Sequence, residues 1–400
     1  MCAREDFKIV STNTAERTKG IYPSKIREVL GKVEELRKQG AHVTDFSIGR
    51  PDFGTPEHIK KAAKEALDKG QVHYTPSQGT RAFQEAVCYR LKEDYDLDFA
   101  PEDVIATVGA SQAIYLALHG ILNPGDEVIA PEPMYVYYVG LSFLSGGKVI
   151  GVPTGDDDLF IPTADKIAQH ITPKTKAIIL TSPNNPTGQV IGKAEILKIA
   201  ELAVKHDLVV VSDDIYNAVL YDDIDYMPIA KAPGMKERTI VINSFSKTYA
   251  MDGWRIGSLI VPHVMFSEML KLHQHMVSCP NTFVQIGAVA ALTGSQECVR
   301  DMTKEFDRRR KLIMSSLDDM KIPYVRPRGA FYIFPDMRRY GMSAKDMALY
   351  LLNEARVATV PGDAFGAAGE GHIRIAFSTT YEEIESGMQR MAEALKKLKK

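Results

Sequence analysis

This chain of 400 residues has only four cysteines and one tryptophan, almost no net charge and no long apolar run. Its four cysteines form no Cys-x-x-Cys pair, which argues against a disulfide framework or a cysteine zinc site. The 49 basic and 51 acidic residues leave a net charge of −2, which gives no broad field to attract nucleic acid or an anionic membrane. No segment approaches the roughly 20 apolar residues of a membrane span, and the amino terminus lacks the apolar core of a signal peptide. We therefore expect a cytoplasmic protein with neither nucleic acid nor membrane as a partner.

The length exceeds what one hydrophobic core usually serves, so two domains are expected. The middle of the chain alternates short β-rich runs with helical stretches, and several runs are apolar at nearly every position, as in strands covered on both faces. This alternation predicts an α/β fold with a mainly parallel sheet and helices on both faces. The predicted strands are Val104–Val108, Glu127–Ala130, Ala177–Leu180, Leu208–Val211, Thr239–Ile242 and Ser258–Val261, with helices at Gln112–Ile121 and Ala194–Lys205.

Both ends of the chain have a different pattern. Helical periodicity over Pro23–Gln39 precedes the strand-like Val43–Ile48. After about residue 295 a charged helix through Arg310 is followed by three further predicted elements. The pattern predicts a smaller α+β domain built from both termini. These later elements are the strand Ala330–Phe334, the helix Ser343–Glu354 and a strand near Ile373–Phe377.

A lysine follows one buried strand in the sequence Ser244-Phe-Ser-Lys247. Open α/β sheets place their active sites at the carboxyl ends of strands, and a buried lysine with a lowered pKa can form a Schiff base with an aldehyde. The motif alone fits a surface lysine equally well. It also matches the Ser-x-x-Lys of serine acyl-enzymes, but the Ser-Asp-Asn and Lys-Thr-Gly partners of that class are missing.

Three more polar segments follow predicted strands and would reach the same edge of the sheet. They are Gly109-Ala-Ser-Gln112, Ser182-Pro-Asn-Asn-Pro-Thr-Gly188 and Asp213-Asp-Ile-Tyr216. Together with the lysine they supply what pyridoxal chemistry needs: a carboxylate for the ring nitrogen, donors for the 3-oxygen, and a helix start with hydroxyls and a guanidinium for the phosphate. Each segment alone could be an ordinary turn, but their joint occurrence favours pyridoxal 5′-phosphate as the cofactor.

At this point the sequence resembles the class I aminotransferases of pyridoxal-phosphate fold type I, most closely their bacterial and archaeal aspartate/aromatic branch. The likeness runs over nearly the whole chain, and its lysine segment and Ser-Pro-Asn-Asn-Pro-Thr-Gly are highly specific. The resemblance implies residues 1–45 as an N-terminal part of the small domain, 46–290 as the large cofactor-binding domain and 291–400 as the C-terminal small domain. It is carried by Tyr22-Pro-Ser, Ser47-Ile-Gly-Arg-Pro-Asp-Phe, Tyr74-Thr-Pro-Ser-Gln-Gly, Ser182–Gly188, Ser244–Gly257, Gly329-Ala-Phe-Tyr and Ile373-Arg-Ile-Ala-Phe.

The resemblance also implies roles around the cofactor ring. Lys247 would form the aldimine and then move the proton between substrate and cofactor. Asp213 would pair with the ring nitrogen, Asn185 and Tyr216 would contact the 3-oxygen, and Tyr135 would stack on the ring. The phosphate would be held by Ala110, Ser111, Ser244, Ser246 and Arg255.

Substrate and partner roles are implied in the same way. Arg374 would bind the substrate α-carboxylate as a bidentate fork, with Gly49, Tyr135 and Asn185 also contacting the substrate. Tyr74 would reach the phosphate of a neighbouring subunit, which implies a homodimer with shared active sites. The implied reaction moves the α-amino group of an L-amino acid, such as aspartate or an aromatic one, to a 2-oxo acid, with 2-oxoglutarate as the expected acceptor.

The sequence departs from strict aspartate enzymes of this family. The segment 273–280, where an arginine for the distal carboxylate is expected, contains none, and Ser111 stands where some bacterial relatives have a lysine. Arg50 stands where members of this family usually have a glutamate, and the sequence assigns it no role. His273 and His275 lack carboxylate or cysteine partners at ligand spacing, so we predict no metal site.

Two alternatives to transamination share the fold. A cysteine-type β-lyase would use the same lysine to eliminate a thiol, and local motifs hardly separate it, although the likeness in the Lys247 and Arg374 segments favours transfer. A ligand-sensing regulator would need an added DNA-binding domain. Because the likeness begins by about Tyr22, the preceding residues are too few for one, and we disfavour this reading.

Overall fold

The computed structural model describes residues 14–21 and 25–398, with only the backbone given for 25–28. Tyr22, Pro23 and Cys2 lie outside the described residues. The helices are α1 Glu16–Lys19, α2 Lys25–Lys38, α3 Glu57–Asp68, α4 Arg81–Tyr95, α5 Ala110–Ile121, α6 Tyr137–Leu144, α7 Ala164–Ala168, α8 Lys193–Lys205, α9 Phe245–Thr248, α10 His263–Met276, α11 Thr282–Thr293, α12 Glu297–Asp319, α13 Ala344–Ala355 and α14 Tyr381–Lys397. The strands are β1 Thr44–Asp45, β2 Val104–Thr107, β3 Glu127–Glu132, β4 Lys148–Pro153, β5 Thr175–Thr181, β6 Val209–Asp213, β7 Thr239–Ser244, β8 Gly257–Ile260, β9 Tyr332–Ile333, β10 Val357–Ala358, β11 Val360–Pro361 and β12 Ile373–Ala376.

The central sheet has seven strands in the order β2-β8-β7-β6-β5-β3-β4. Neighbours from β7 to β4 run parallel, and only β8 runs antiparallel to the strands beside it. The six strands predicted from the sequence are all in this sheet. The edge strand β4 was not predicted, because its residues are mostly half-buried or exposed and lack a continuous apolar run.

Helices cover both faces of this sheet, which explains why its strands are apolar at successive positions. Along β5, Ala177 and Ile179 pack with residues of α5 and α10 on one face. Ile178 and Leu180 pack with residues of α8 on the other face. Side chains of a strand alternate between faces, so a strand buried on both sides must be apolar throughout.

Segments from the two ends of the chain pair with each other. Strand β1 lies parallel to β10, and β11, β12 and β9 form a small antiparallel sheet. The predicted strand over residues 43–48 is too long, because its hydrogen bonding to β10 ends at Phe46, whose N–H donates to the Ala358 carbonyl. The carbonyls of Ser47 and Ile48 instead accept hydrogen bonds from Arg374 and Ser378 side chains. The charged helix predicted to Arg310 continues as α12 to Asp319.

The parallel strands bring the four polar segments of the sequence to one edge of the sheet. Strand β5 ends just before Ser182, β6 ends at Asp213, β7 runs directly into α9, and β2 is followed by the turn into α5. No helix among residues 14–21 and 25–398 combines the length and the apolar character required to cross a membrane.

Candidate active site

A cavity of about 300 Å³ opens at the carboxyl edge of the central sheet. Six of the residues predicted for the site line it, although they come from six separate parts of the chain. They are Gly49, Tyr135, Asn185, Tyr216, Lys247 and Arg374, and the remaining lining residues are Leu30, Ser47, Ile48, Val136, Tyr137, Ile215 and Tyr332. Site residues predicted from separate segments of the sequence therefore line one cavity.

Lys247 lies on the short helix α9, which begins directly after β7. Its Nζ donates a hydrogen bond to the carbonyl oxygen of Gly49 at 2.5 Å. Burial lowers the pKa of the Lys247 ammonium to about 8, while Asp252 acts in the opposite direction and Arg374 adds a smaller decrease. A substantial fraction of neutral amine is therefore present near neutral pH, as nucleophilic attack on an aldehyde requires.

Asp213 ends β6 and is almost completely buried. Its Oδ2 accepts a hydrogen bond from the hydroxyl of Tyr138, but its Oδ1 has no hydrogen-bond partner. Burial raises the pKa of Asp213 to about 6, against the lowering effect of the Tyr138 hydrogen bond. Buried polar atoms are nearly always hydrogen-bonded, so the free Oδ1 fits a ligand that brings an N–H donor or a cation.

Arg374 and Asn185 form one polar corner of the cavity. Arg374 Nη1 donates to Asn185 Oδ1 at 3.1 Å, and Nη2 donates to the Ser47 carbonyl at 2.6 Å. The guanidinium lies over the rings of Tyr332 and Phe365 at 4.7 and 5.1 Å, and its Nε has no partner. No carboxylate among the described residues forms an ion pair with it. A buried guanidinium without an anion is suited to bind a carboxylate of a ligand.

Tyr216 is buried at the cavity, and its hydroxyl lies 2.7 Å from that of Tyr332. Burial raises the pKa of Tyr216 well above its usual range, so this phenol stays protonated and can donate one hydrogen bond. Sequence reasoning missed Tyr332 and Tyr138 as site residues. Tyr332 was noted only within Gly329-Ala-Phe-Tyr, and Tyr138 lies one helical turn after Tyr135 in an apolar helix with no motif of its own.

The predicted phosphate-binding residues form a group beside the cavity. Gly109 has φ of 77° and precedes α5, whose first turn has no side-chain cap. The Arg255 guanidinium lies so close to this glycine that a Cβ there would stand 2.5 Å from Nη2. The hydroxyls of Ser244 and Ser246 are 3.0 Å apart. Free N–H groups at Ala110 and Ser111, hydroxyls and a guanidinium are the donors that a phosphate accepts.

Tyr74 is the one predicted site residue that stands apart from these contacts. It is 92% exposed and does not line the cavity. His273 and His275 lie on α10 rather than in a loop, and His273 is fully buried with Nδ1 beside the Gln112 amide.

One cluster of potential metal ligands occurs in the described part of the chain, at Asp156, Asp336 and His372. Arg338 forms ion pairs with both carboxylates, at 2.7 Å each. One guanidinium therefore already pairs with both carboxylates and offsets half of the negative charge that would attract a cation.

Residues 41–391 match the family described as aminotransferase class I and II. The chain is 42% identical over 388 residues to an aspartate aminotransferase of Pyrococcus abyssi, covering 96% of this chain and 99% of that protein. An aromatic-amino-acid aminotransferase of Thermococcus litoralis matches with the same identity and coverage.

A solved structure agrees with these matches. The aspartate aminotransferase of Thermus thermophilus with maleate superposes with a TM-score of 0.92 at 35% identity, covering 96% of this chain and all of that one. The chain belongs to the class I and II aminotransferases. The aminotransferase depends on pyridoxal phosphate, as its family does, and the predicted α/β fold of type I is confirmed. These relatives give no support to the β-lyase alternative.

Proposed function

We propose that this aminotransferase moves the α-amino group of aspartate, aromatic and similar L-amino acids to a 2-oxo acid, with 2-oxoglutarate as the acceptor. The observation that carries the proposal is the joint position of Lys247 and Arg374 on one cavity, together with the unpaired Oδ1 of Asp213 at the end of β6. Named relatives include both aspartate and aromatic aminotransferases, which supports a donor range that spans the two.

The residues around the cavity match the parts of the cofactor. When bound, pyridoxal 5′-phosphate supplies an electron-withdrawing ring that stabilises negative charge on the substrate Cα. Asp213 Oδ1 would accept the ring N–H, Tyr216 and Asn185 would donate to the 3-oxygen, and Tyr135 would stack on the ring. The phosphate would lie against Ala110, Ser111, Ser244, Ser246 and Arg255.

Lys247 is the residue that we expect to move the proton. Its lowered pKa of about 8 means that its Nζ can hold or release a proton at little cost near neutral pH. The hydrogen bond to the Gly49 carbonyl fixes the Nζ at the cavity wall before any ligand arrives. A base held at one position and with a pKa near the working pH is the combination that general acid–base catalysis favours.

Arg374 would bind the α-carboxylate shared by every donor and acceptor, with Asn185 and the Gly49 backbone beside it. Apart from Lys247, the lining of the cavity offers no further cationic side chain among the described residues. Apolar and aromatic side chains line it instead, including Leu30, Ile48 and Tyr137. Arg50 and Arg328 are exposed and do not line it. Neutral walls separate similar side chains by only about 1–3 kcal/mol, so we propose broad donor specificity.

We further propose a cytoplasmic homodimer in which Tyr74 completes the partner subunit's phosphate site. A tyrosine ring with 92% of its surface exposed is unusual for so large an apolar group, and burial against a second subunit would account for it. The loop that carries it is anchored by the Gln285 side chain, which donates to Thr75 and accepts from Thr80. Because this loop is anchored, the exposed ring of Tyr74 is positioned to contact a partner subunit.

The domain division stays a proposal, with residues 46–290 as the large domain and 1–45 with 291–400 as the small one. The pairing of β1 with β10 supports this grouping, because it joins residues near position 44 to residues near position 357. Val29, Val33 and Val43 pack in one hydrophobic cluster with Leu352 and Ala358, which joins the two ends of the chain.

A donor screen with 2-oxoglutarate tests the proposed specificity. Purified enzyme loaded with cofactor is given aspartate, phenylalanine, tyrosine or alanine in turn, and glutamate formation is followed. We expect turnover with both acidic and aromatic donors, within about a hundredfold in kcat/KM. Aspartate preferred over phenylalanine by several orders of magnitude would contradict the proposal, because it would require a cation at the distal carboxylate.

A further inference from the structure

Tyr332 connects the two halves of the cavity, although the sequence analysis gave it no role beyond its place in Gly329-Ala-Phe-Tyr. It lies on β9 with 1% of its surface exposed, and its hydroxyl is 2.7 Å from that of Tyr216. A Cβ built on Gly49 would stand 2.2 Å from the Tyr332 hydroxyl, so this oxygen rests against the Gly49 backbone. That backbone also carries the carbonyl that binds Lys247.

The ring of Tyr332 has a second neighbour on the substrate side. The Arg374 guanidinium lies 4.7 Å from its centroid, with Phe365 as the other ring within contact distance. The aromatic faces hold the guanidinium in place by cation–π attraction, since no carboxylate of the described residues does so. One side chain therefore touches both the proposed 3-oxygen donor and the proposed carboxylate binder.

Counting protons fixes the direction of the hydrogen bond between the two tyrosines. A phenol has one O–H, so Tyr216 can donate to only one acceptor. If Tyr216 donates to the cofactor's 3-oxygen, its own oxygen must accept, and Tyr332 is the neighbour whose hydroxyl lies within reach. A donor that itself accepts a hydrogen bond is polarised and donates more strongly.

We propose that Tyr332 is a positioning residue whose hydroxyl donates a hydrogen bond to the Tyr216 oxygen and whose ring supports Arg374. This inference rests on the proposed role of Tyr216. The hydroxyl strengthens the hydrogen bond that keeps the cofactor's 3-oxygen anionic. The ring keeps the Arg374 guanidinium in the plane that meets the substrate carboxylate.

A pH titration of the visible absorbance of the cofactor-loaded protein tests the hydroxyl. A weaker donor leaves the 3-oxygen more basic, so Tyr332→Phe should raise the pH midpoint of the titration. We expect a shift on the order of 0.3 pH units, since neighbouring hydrogen bonds strengthen one another by roughly a fifth. Tyr216→Phe should raise the midpoint further, and Tyr332→Phe should add nothing in the Tyr216→Phe background. An unchanged midpoint in Tyr332→Phe would overturn the inference.

Tyr221→Phe is the matched control. Tyr221 is also buried, and its hydroxyl donates to the Ala330 carbonyl in the segment that precedes β9. The substitution removes one buried hydroxyl from the same hydrophobic cluster without touching the cavity. We expect no shift of the midpoint, whatever its effect on Tm. An equal shift in Tyr221→Phe and Tyr332→Phe would mean that the effect is structural.

A second substitution separates the ring from the hydroxyl. Tyr332→Phe keeps the ring beneath Arg374, so the KM of each donor should stay within about twofold. Tyr332→Leu removes the ring and should raise KM roughly three- to tenfold for all donors. Unchanged KM in Tyr332→Leu would overturn the ring's role. If Tyr216→Phe itself leaves the titration unchanged, the proposed function of Tyr216 fails instead, and the two failures are distinguishable.

Discussion

Arg374→Met should abolish most activity while destabilising the fold less than the loss of a buried ion pair would. The side chain is 3% exposed, and its Nε lacks a partner. Burial lowers the pKa of the guanidinium, which means that the charge is held at some cost in the empty protein. Methionine fills a similar volume and removes this charge, although the Ser47 carbonyl and Asn185 lose their donors.

The expected loss of activity follows from the two hydrogen bonds that Arg374 would make to a carboxylate. Removing one partner of a buried, hydrogen-bonded charge pair costs about 2–5 kcal/mol. Because each 1.36 kcal/mol is a factor of ten, kcat/KM should fall roughly 30- to 5,000-fold. Arg374→Lys should also impair the enzyme, since an ammonium cannot make two parallel hydrogen bonds. The decrease in kcat/KM should be similar for acidic and aromatic donors, because all donors share the α-carboxylate.

Arg310→Met is a suitable comparison for stability. Arg310 is fully buried, but its guanidinium forms ion pairs with Asp222 and Asp307, at 2.7 and 2.6 Å. Breaking a buried pair is strongly destabilising, by about 3–5 kcal/mol, whereas Arg374 has no such pair to break. Thermal unfolding should therefore show a large loss of Tm for Arg310→Met and a smaller loss for Arg374→Met. An activity loss confined to one donor, or a Tm loss as large as that of Arg310→Met, would refute this reasoning.

Three further predictions concern the cofactor and the dimer. Borohydride reduction should fix the label on Lys247, and loading of the cofactor-free protein should accelerate with rising pH around a midpoint of about 8, because the neutral amine attacks the aldehyde; a label elsewhere or a pH-independent rate would contradict this. Asp213→Asn should reduce turnover far more than Asp214→Asn, since only Asp213 has the unpaired oxygen; equal losses would mean that the wrong carboxylate is assigned. Lys247→Ala and Tyr74→Ala chains, each inactive alone, should regain activity when mixed, because one site of the mixed dimer has both residues intact; no recovery despite mixed dimers would argue against shared sites.

The edge of the sheet that carries the site was predictable from the sequence alone. Parallel strands end at a common edge, so polar residues after successive apolar runs must meet there. This reasoning brought Asn185, Tyr216 and Lys247 together correctly, and the structure places all three on one cavity. The expected role of Arg374 came from the resemblance to the family, because no pattern in the sequence indicates that this residue lies near the central sheet.

Residues that reach the site by tertiary packing were not predictable. Tyr138 contacts Asp213 from 75 positions earlier in the chain, and Tyr332 contacts Tyr216 from 116 positions later. Neither tyrosine follows an apolar run or belongs to a chemical motif. The strand predicted over residues 43–48 is too long for a related reason. The carbonyls of Ser47 and Ile48 accept hydrogen bonds from side chains rather than from a neighbouring strand.

The unpaired groups of the cavity have a common physical meaning. Burial raises the pKa of Asp213 to about 6 and lowers that of Lys247 to about 8, so the empty site pushes both groups toward their neutral forms. A ring N–H would give Asp213 Oδ1 the hydrogen-bond donor that it lacks, and a carboxylate would pair with the charge of Arg374, whose Nε also lacks a partner. The site is therefore arranged in advance for its ligands, at the expense of stability in their absence. Binding of cofactor and substrate should accordingly stabilise the protein more than their contact areas alone would indicate, because they also supply the missing hydrogen bonds.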